Sequence, residues 1–406
     1  MVNSLSSKKS YFLIFLCWAA YTCAYVARLN YNASMVEILS QLDTSKEEAG
    51  TVSSFFFFAY GAGQLINGLL SKRYNTKYSV AIALAASCVI NLSMTFCQGI
   101  DMMKYLWFFN GAFQSVLWSS LIKTLSDNLA DNKLSKAVMV MSTTVASGTF
   151  AAYGLAALFS ALKMSWTFIF YVATAVVGVV AVLWFVGMGT IEKSERKTAQ
   201  GRISSKNKLS FTPAFAVSIA VILVSAVTNG FIKDGITTWV PSIMKEEFGV
   251  PASLSIIITL VLPVLSIFGT SLVNILHKRE KNENALNGIF YSGAVIITVL
   301  IILTINLKSV PLTLALFGCV SCLMAAINNV ITSIVPLYSR DKIDSGLAAG
   351  LLNTFCYVGS TMSTSLLGRI ADTKGWNDVF ICILIFTVVS FVLCTASAVF
   401  SKKKKA

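Results

Sequence analysis

Two cations interrupt apolar stretches long enough to cross a membrane. Arg28 lies in the stretch 11–33, following Tyr21 and Tyr25, and Lys233 lies in the stretch 211–242, directly before Asp234. An ionised side chain in a bilayer core costs at least about 2.5–3.5 kcal/mol on insertion scales, so each cation is a functional candidate by default. A guanidinium fork can hold phosphate or carboxylate through two parallel hydrogen bonds, and an ammonium supplies a compact point charge. Converging from two sides, they would clamp a small anion. The alternative is that both snorkel to headgroups, since each lies in the second half of its stretch. Tyr21, Tyr25 and Arg28 recur at i, i+4 and i+7, which places them on one helical face.

The elements that must position these groups follow from composition. Of 406 residues, 56% are hydrophobic and 12% charged, and the mean hydropathy is +0.73. Soluble chains average about one-half apolar and one-quarter charged, so this is an all-α polytopic membrane protein. Apolar runs near the roughly 20 residues needed to cross a bilayer are expected at 11–33, 49–70, 78–98, 104–125, 137–160, 165–188, 211–242, 252–276, 284–305, 309–336, 346–369 and 379–400. The net charge of +14 would suit a nucleic-acid partner if the basic residues clustered on one face. They alternate with topology instead. With the N-terminus cytoplasmic, 23 of the 32 Lys and Arg fall inside, seven outside, and Arg28 and Lys233 within spans. No nucleic-acid partner is therefore expected; both termini are read as cytoplasmic, and the bilayer is the obligatory environment.

The nine cysteines are scattered through apolar segments as small hydrophobes. Cys319 and Cys322 form a C-x-x-C, but without a second pair or a nearby His a metal or redox site is disfavoured. Lys8 and Lys9 before an apolar run imitate a secretory signal, yet Arg28 and Asn30 continue that run as a helix, so cleavage is rejected. No phosphate-cradling loop or nucleophile elbow occurs, and the sole histidine, His277, is placed at a helix end. An enzyme, a catalytic centre, a cofactor and a metal are not expected.

The longest polar stretch, 191–210, reads as a cytoplasmic linker between an N-terminal half, 1–190, and a C-terminal half, 211–406. A shift of 205 positions places Arg28 on Lys233, and nearly the same shift places Gly63 on Gly269 and 69–73 on 275–279. Repeats related by an axis along the membrane normal put a binding site between the halves near the bilayer midplane.

The basic loops 68–77 and 274–279 resemble the major facilitator signature, although Lys72 and Lys278 stand where that signature has an acid. A weaker or differently built latch is implied; alternatively Lys72, Arg73 and Lys77 only fix topology and bind headgroups. Further matches are 25–30 (Tyr-Val-Ala-Arg-Leu-Asn), 59–61 (Ala-Tyr-Gly), 114–118 (Gln-Ser-Val-Leu-Trp), 233–235 (Lys-Asp-Gly) with 239–241 (Trp-Val-Pro), 346–350, 357–359 (Tyr-Val-Gly), 368–372 and 375–376. In their order these resemble the organophosphate:phosphate antiporters, which include glycerol-3-phosphate and hexose-phosphate transporters. The resemblance implies the major facilitator fold, twelve helices in two pseudo-symmetric six-helix bundles. It also implies a secondary transporter that moves a small organic anion, a phosphate ester in exchange for inorganic phosphate, by alternating access.

Carried over residue by residue, the resemblance assigns substrate binding to Arg28, Tyr21, Tyr25, Tyr60, Gln114, Trp118 and Tyr357, with Lys233 at the position of the family's second arginine and Gln64 at that of its helix-two lysine. The family's histidine and glutamate have no counterpart: the fifth span offers Ser142, Thr143 and Thr144, and the eighth Pro263 and Thr270. The site is thus less cationic than the family's, the more so if Asp234 neutralises Lys233. Packing or an interfacial belt is the alternative for each aromatic taken alone. Asn67, Asn110, Asn328, Asn329 and Asn353 read equally well as interhelical glue. A proton-driven efflux pump is the rival function, and a non-transporting sensor on the same fold is a third. A monomer in the inner membrane is expected.

Overall fold

The structure, a computed structural model, describes residues 7–70, 75–192, 213–338 and 345–403. Lys72, Arg73, most of the expected linker, Arg340 and Lys342 lie outside the described residues. Among the described residues every regular element is a helix: α1 (Ser7–Ala33), α2 (Met35–Gln41), α3 (Lys46–Leu70), α4 (Thr76–Met94), α5 (Ile100–Gln114), α6 (Leu117–Asn128), α7 (Asp131–Ser142), α8 (Thr144–Ala161) and α9 (Thr167–Glu192) in the first half. The second half contains α10 (Pro213–Phe248), α11 (Ala252–Ile258), α12 (Val261–Leu276), α13 (Glu283–Ile305), α14 (Val310–Asn329), a π-helical turn (Val330–Ile334), α15 (Val335–Tyr338), α16 (Ser345–Lys374) and α17 (Trp376–Lys403).

Nine helices among the described residues are long and apolar enough to span a membrane. The three remaining expected spans correspond to α3, the α5–α6 pair and α16, which fall short of that criterion. The reason differs between them. α3 and α16 carry Gln64, Asn67, Asn353 and Thr364 because they line the seam between the halves rather than lipid, whereas α5–α6 turns the polar Asn110 and Gln114 toward helices of its own half and is also divided at Ser115 and Val116. There Ser115 Oγ donates to the Ala112 carbonyl at 2.6 Å and accepts from Asn67 Nδ2 at 2.8 Å. Back-bonding of this kind bends a helix. Pro263 divides α11 from α12 by removing the donor the Thr259 carbonyl would have used, and that carbonyl accepts from Leu262 N–H at 3.0 Å instead.

Two seams join the halves: α3 packs along α16, and α8 packs on α11 and α12. A six-helix shift exchanges these pairs, as the two-fold architecture requires. Polar contacts across the seam concentrate at the end opposite the termini. Lys46 Nζ meets Glu246 at 3.2 Å and Asp372 at 3.4 Å, Glu47 N–H donates to Asp372 at 2.9 Å, and Ser54 and Thr364 hydroxyls lie 2.8 Å apart. Asn32 Nδ2 donates to Thr238 Oγ1 at 3.2 Å. Pro241 leaves the Thr237 carbonyl without its helical donor, and Tyr153 OH from the opposite half reaches it at 3.4 Å.

This closure depends on backbone proximity. A Cβ at Gly50 would collide with the Thr364 carbonyl, and one at Gly368 would collide with the Lys46 carbonyl. Between helices in lipid, small residues permit the close approach from which packing energy comes. Gly50→Leu is therefore expected to hold this end apart. With cysteines placed at Thr51 and Ser365, whose hydroxyls are 3.2 Å apart, oxidative cross-linking should be efficient when Gly50 is retained and several-fold weaker when the Gly50→Leu substitution is added. Undiminished cross-linking would mean that the seam closes without this contact.

Candidate anion site

The site begins with what fixes α1. One residue before Arg28, the Ala27 carbonyl accepts from Asn110 Nδ2 at 2.9 Å and from Asn91 Nδ2 at 3.3 Å. Asn91 Oδ1 accepts from Asn30 Nδ2 at 2.7 Å, Ser87 Oγ donates to Asn110 Oδ1 at 2.7 Å, and Gln114 Nε2 donates to Ser87 Oγ at 2.9 Å and Asn110 Oδ1 at 3.1 Å. All of these side chains are buried. A connected buried network fixes one arrangement because each unmade bond would leave a desolvated polar group. Here it locks α1 against α4 and α5, and so sets where Arg28 emerges.

Arg28 is itself buried, inside a cage of rings. Its guanidinium carbon stands 4.6 Å from the Tyr60 centroid, 5.1 Å from Phe56, 5.3 Å from Tyr25, 5.6 Å from Tyr357 and 5.7 Å from Phe57. Cation–π attraction contributes about 0.5–2 kcal/mol per favourable ring, which offsets part of the desolvation cost. The rings satisfy charge but not donors. Of the five guanidinium N–H groups, one bond is recorded among the described residues, from Nη2 to Tyr357 OH at 3.3 Å. Donors of a buried cation without acceptors define a place for an oxyanion.

Lys233 occupies the equivalent place in the other half. Its Nζ lies 3.5 Å from Asp234 Oδ1, and its side chain is 41% exposed at mid-helix, against 16% for Asp234. It therefore faces open space rather than packed helix. Asp234 Oδ2 accepts from Ser360 Oγ at 2.5 Å. Ser360, which holds Asp234, follows Tyr357, which accepts from Arg28, by three residues on α16, so the ion pair and the guanidinium meet the same turn of that helix.

Of the residues expected at the site, Arg28, Tyr25, Tyr60 and Tyr357 meet directly, and Tyr357 arrives from the opposite half. Tyr21 packs between Tyr25 and Trp118, with centroids 5.2 and 4.9 Å away, as a second row behind the cage. Gln64 accepts a hydrogen bond from Asn353 across the α3–α16 seam. Gln114 is turned into the α1 network rather than toward Arg28. Of the five asparagines that read equally well as glue, four make bonds between helices: Asn67 to Ser115, Asn110 to the Ala27 carbonyl, Asn353 to Gln64, and Asn328, which accepts from Asn229. Phe56 and Phe57 are absent from the expected set, although the run of four phenylalanines before Ala59 carries the signal: Phe56 and Tyr60 share a face at i, i+4. The Asp234–Ser360 bond has no sequence signal, since it depends on α16 passing close to α10 at Gly230, where a Cβ would strike the Cys356 carbonyl.

The Major Facilitator Superfamily model matches residues 17–364. A glycerol-3-phosphate transporter of Bacillus subtilis is 24% identical over 93% of this chain and 89% of its own length. The membrane sensor protein UhpC of Escherichia coli is 31% identical, over 25% of this chain and 23% of its own. Among solved structures, a bacterial homolog of the human lysosomal transporter Spinster, in an inward-facing and unoccupied conformation, superposes with a TM-score of 0.76 at 14% identity, covering 98% of this chain and 99% of that one. At that identity the likeness shows the fold alone.

The α1 network generates a test of its own. Asn110→Ala removes the Ala27 contact and the acceptor for Ser87 and Gln114; buried bonds in membrane bundles average about 0.6 kcal/mol and reach about 1.7. A loss of about 1–3 kcal/mol is expected, seen as a melting temperature several degrees lower in detergent. A variant that melts with the parent would show that Arg28 is positioned by packing alone.

Proposed function

This chain belongs to the Major Facilitator Superfamily, and we propose from that premise that it is a secondary transporter of the inner membrane, exchanging a small phosphate ester for inorganic phosphate around Arg28. The observation that carries this reading is the guanidinium itself, buried between the halves with unused donors inside an aromatic cage. The relatedness to a glycerol-3-phosphate transporter along nearly the whole chain supports the substrate class.

Alternating access follows from where the groups sit. Arg28, Tyr25 and Tyr60 belong to the first half, and Tyr357 and Lys233 to the second. An anion touching both sets binds a state with the halves drawn together more tightly than one with them apart, and only such differential affinity can move the equilibrium. With the termini cytoplasmic, as the distribution of basic residues supports, the Lys46 end is external, so the polar seam around Lys46 and Asp372 closes the outer end of this conformation. Exchange is favoured over net flux for an electrostatic reason. An empty carrier would have to reorient around an uncompensated buried cation, which is costly, whereas a loaded one carries a neutralised pair.

Arg28→Lys tests the role of the fork. Charge-assisted hydrogen bonds contribute about 1.5–3 kcal/mol each, so losing the bidentate grip should weaken phosphate binding by roughly ten- to a hundred-fold, with exchange in proteoliposomes reduced accordingly. Lys233→Arg should be much milder, because Asp234 already partners that position. Normal phosphate exchange by Arg28→Lys would show that Arg28 is structural.

A further inference from the structure

The charge of the site is fixed by three side chains, and one of them is negative. Asp234 is built in: its two carboxylate oxygens are engaged separately, Oδ1 by Lys233 at 3.5 Å and Oδ2 by the fully buried Ser360 hydroxyl at 2.5 Å. Ser360 lies on α16 and Asp234 on α10, so the carboxylate is held between two packed helices. The other side chains against the Arg28 guanidinium, Tyr25, Tyr60 and Tyr357, bring phenol hydroxyls rather than acids or bases, and Phe56 and Phe57 add only ring faces. Among the described residues, Arg28, Lys233 and Asp234 therefore leave one net positive charge.

We propose that Asp234 is a specificity-determining residue, setting this site to select a singly charged phosphodiester over a doubly charged phosphomonoester. The inference rests on the phosphate-ester reading above and narrows it. In a site walled by aromatic rings the effective dielectric is low, and a charge left over after pairing is expensive. A dianion would leave one negative charge unpaired and would also sit against the Asp234 carboxylate. A phosphodiester monoanion is neutralised and presents two unesterified oxygens, the number a guanidinium fork can grip. Its second ester group suits the surrounding rings better than a third charged oxygen would. Inorganic phosphate, as the counter-substrate, would by the same reasoning be taken as its monoanion.

The test uses two small probes at pH 8 on the detergent-purified full chain: dimethyl phosphate, a monoanion, and methyl phosphate, a dianion there because its second ionisation lies near pH 6 by analogy with phosphoserine. Calorimetric titration of the parent should show dimethyl phosphate binding at least about tenfold more tightly, a difference of about 1.4 kcal/mol. Asp234→Asn keeps an acceptor for Ser360 while removing the charge, and should shift the ratio by tenfold or more toward methyl phosphate. Ser360→Ala, which frees the carboxylate without discharging it, should keep the diester preference. A parent that prefers methyl phosphate at pH 8, or a ratio unmoved by Asp234→Asn, overturns this inference and leaves the phosphate-ester reading standing. Binding of neither probe to the parent would overturn both. The parent comparison alone decides the matter should the Asn variant fail to fold.

Discussion

A guanidinium held inside the bilayer, with no countercharge from its own half among the described residues, is the constraint around which the rest is arranged. Burying it is tolerable only if its charge is spread over something and its position is fixed. The five rings supply the first condition. The polar lock on the Ala27 carbonyl supplies the second, since it pins α1 to α4 and α5 one residue away. Between them they supply one acceptor for the five guanidinium donors, the Tyr357 hydroxyl, and that deficit is the ground on which an oxyanion is proposed there.

The second half repeats the arrangement with different chemistry. Lys233 stands where the repeat demands a cation, but its own neighbour cancels it, and a buried serine keeps the canceller in place. The two halves are thus unequal: one offers a fork with free donors, the other a satisfied ion pair open to the cavity. The same asymmetry marks the seam. Its polar contacts gather around Lys46 and Asp372 at one end, where glycines let α3 and α16 touch backbone to backbone. A seam made of small residues and a few exposed ion pairs has a modest energy, because exposed pairs contribute about 0–1 kcal/mol. A modest seam is compatible with the alternating access proposed above.

Much of this is legible in the chain. Apolar length predicts the spans, the 205-residue shift predicts the pairing of Arg28 with Lys233, and the i, i+4, i+7 spacing puts Tyr21 and Tyr25 on the face of Arg28. Tyr60 and Tyr357 come from resemblance, and both touch the guanidinium. What spacing does not give is direction across helices. Gln114 sits on a helix that could face either the cavity or α4, and a hydrogen-bond partner 27 residues away decides for α4. The helix breaks at Ser115 and Pro263 likewise arise from carbonyls captured or released locally, which leaves no trace in a hydropathy average. The topology signal in the 68–77 loop rests largely on Lys72 and Arg73, which are outside the described residues.

The claim that Arg28 is the anion anchor is tested most directly by a cryo-electron microscopy map of the purified protein saturated with inorganic phosphate. The account predicts density between α1 and α10, with a phosphate oxygen about 2.7–3.2 Å from the Arg28 guanidinium nitrogens and Tyr357 released or shared. Phosphate bound elsewhere, with the ring cage around Arg28 closed and unchanged, would contradict it.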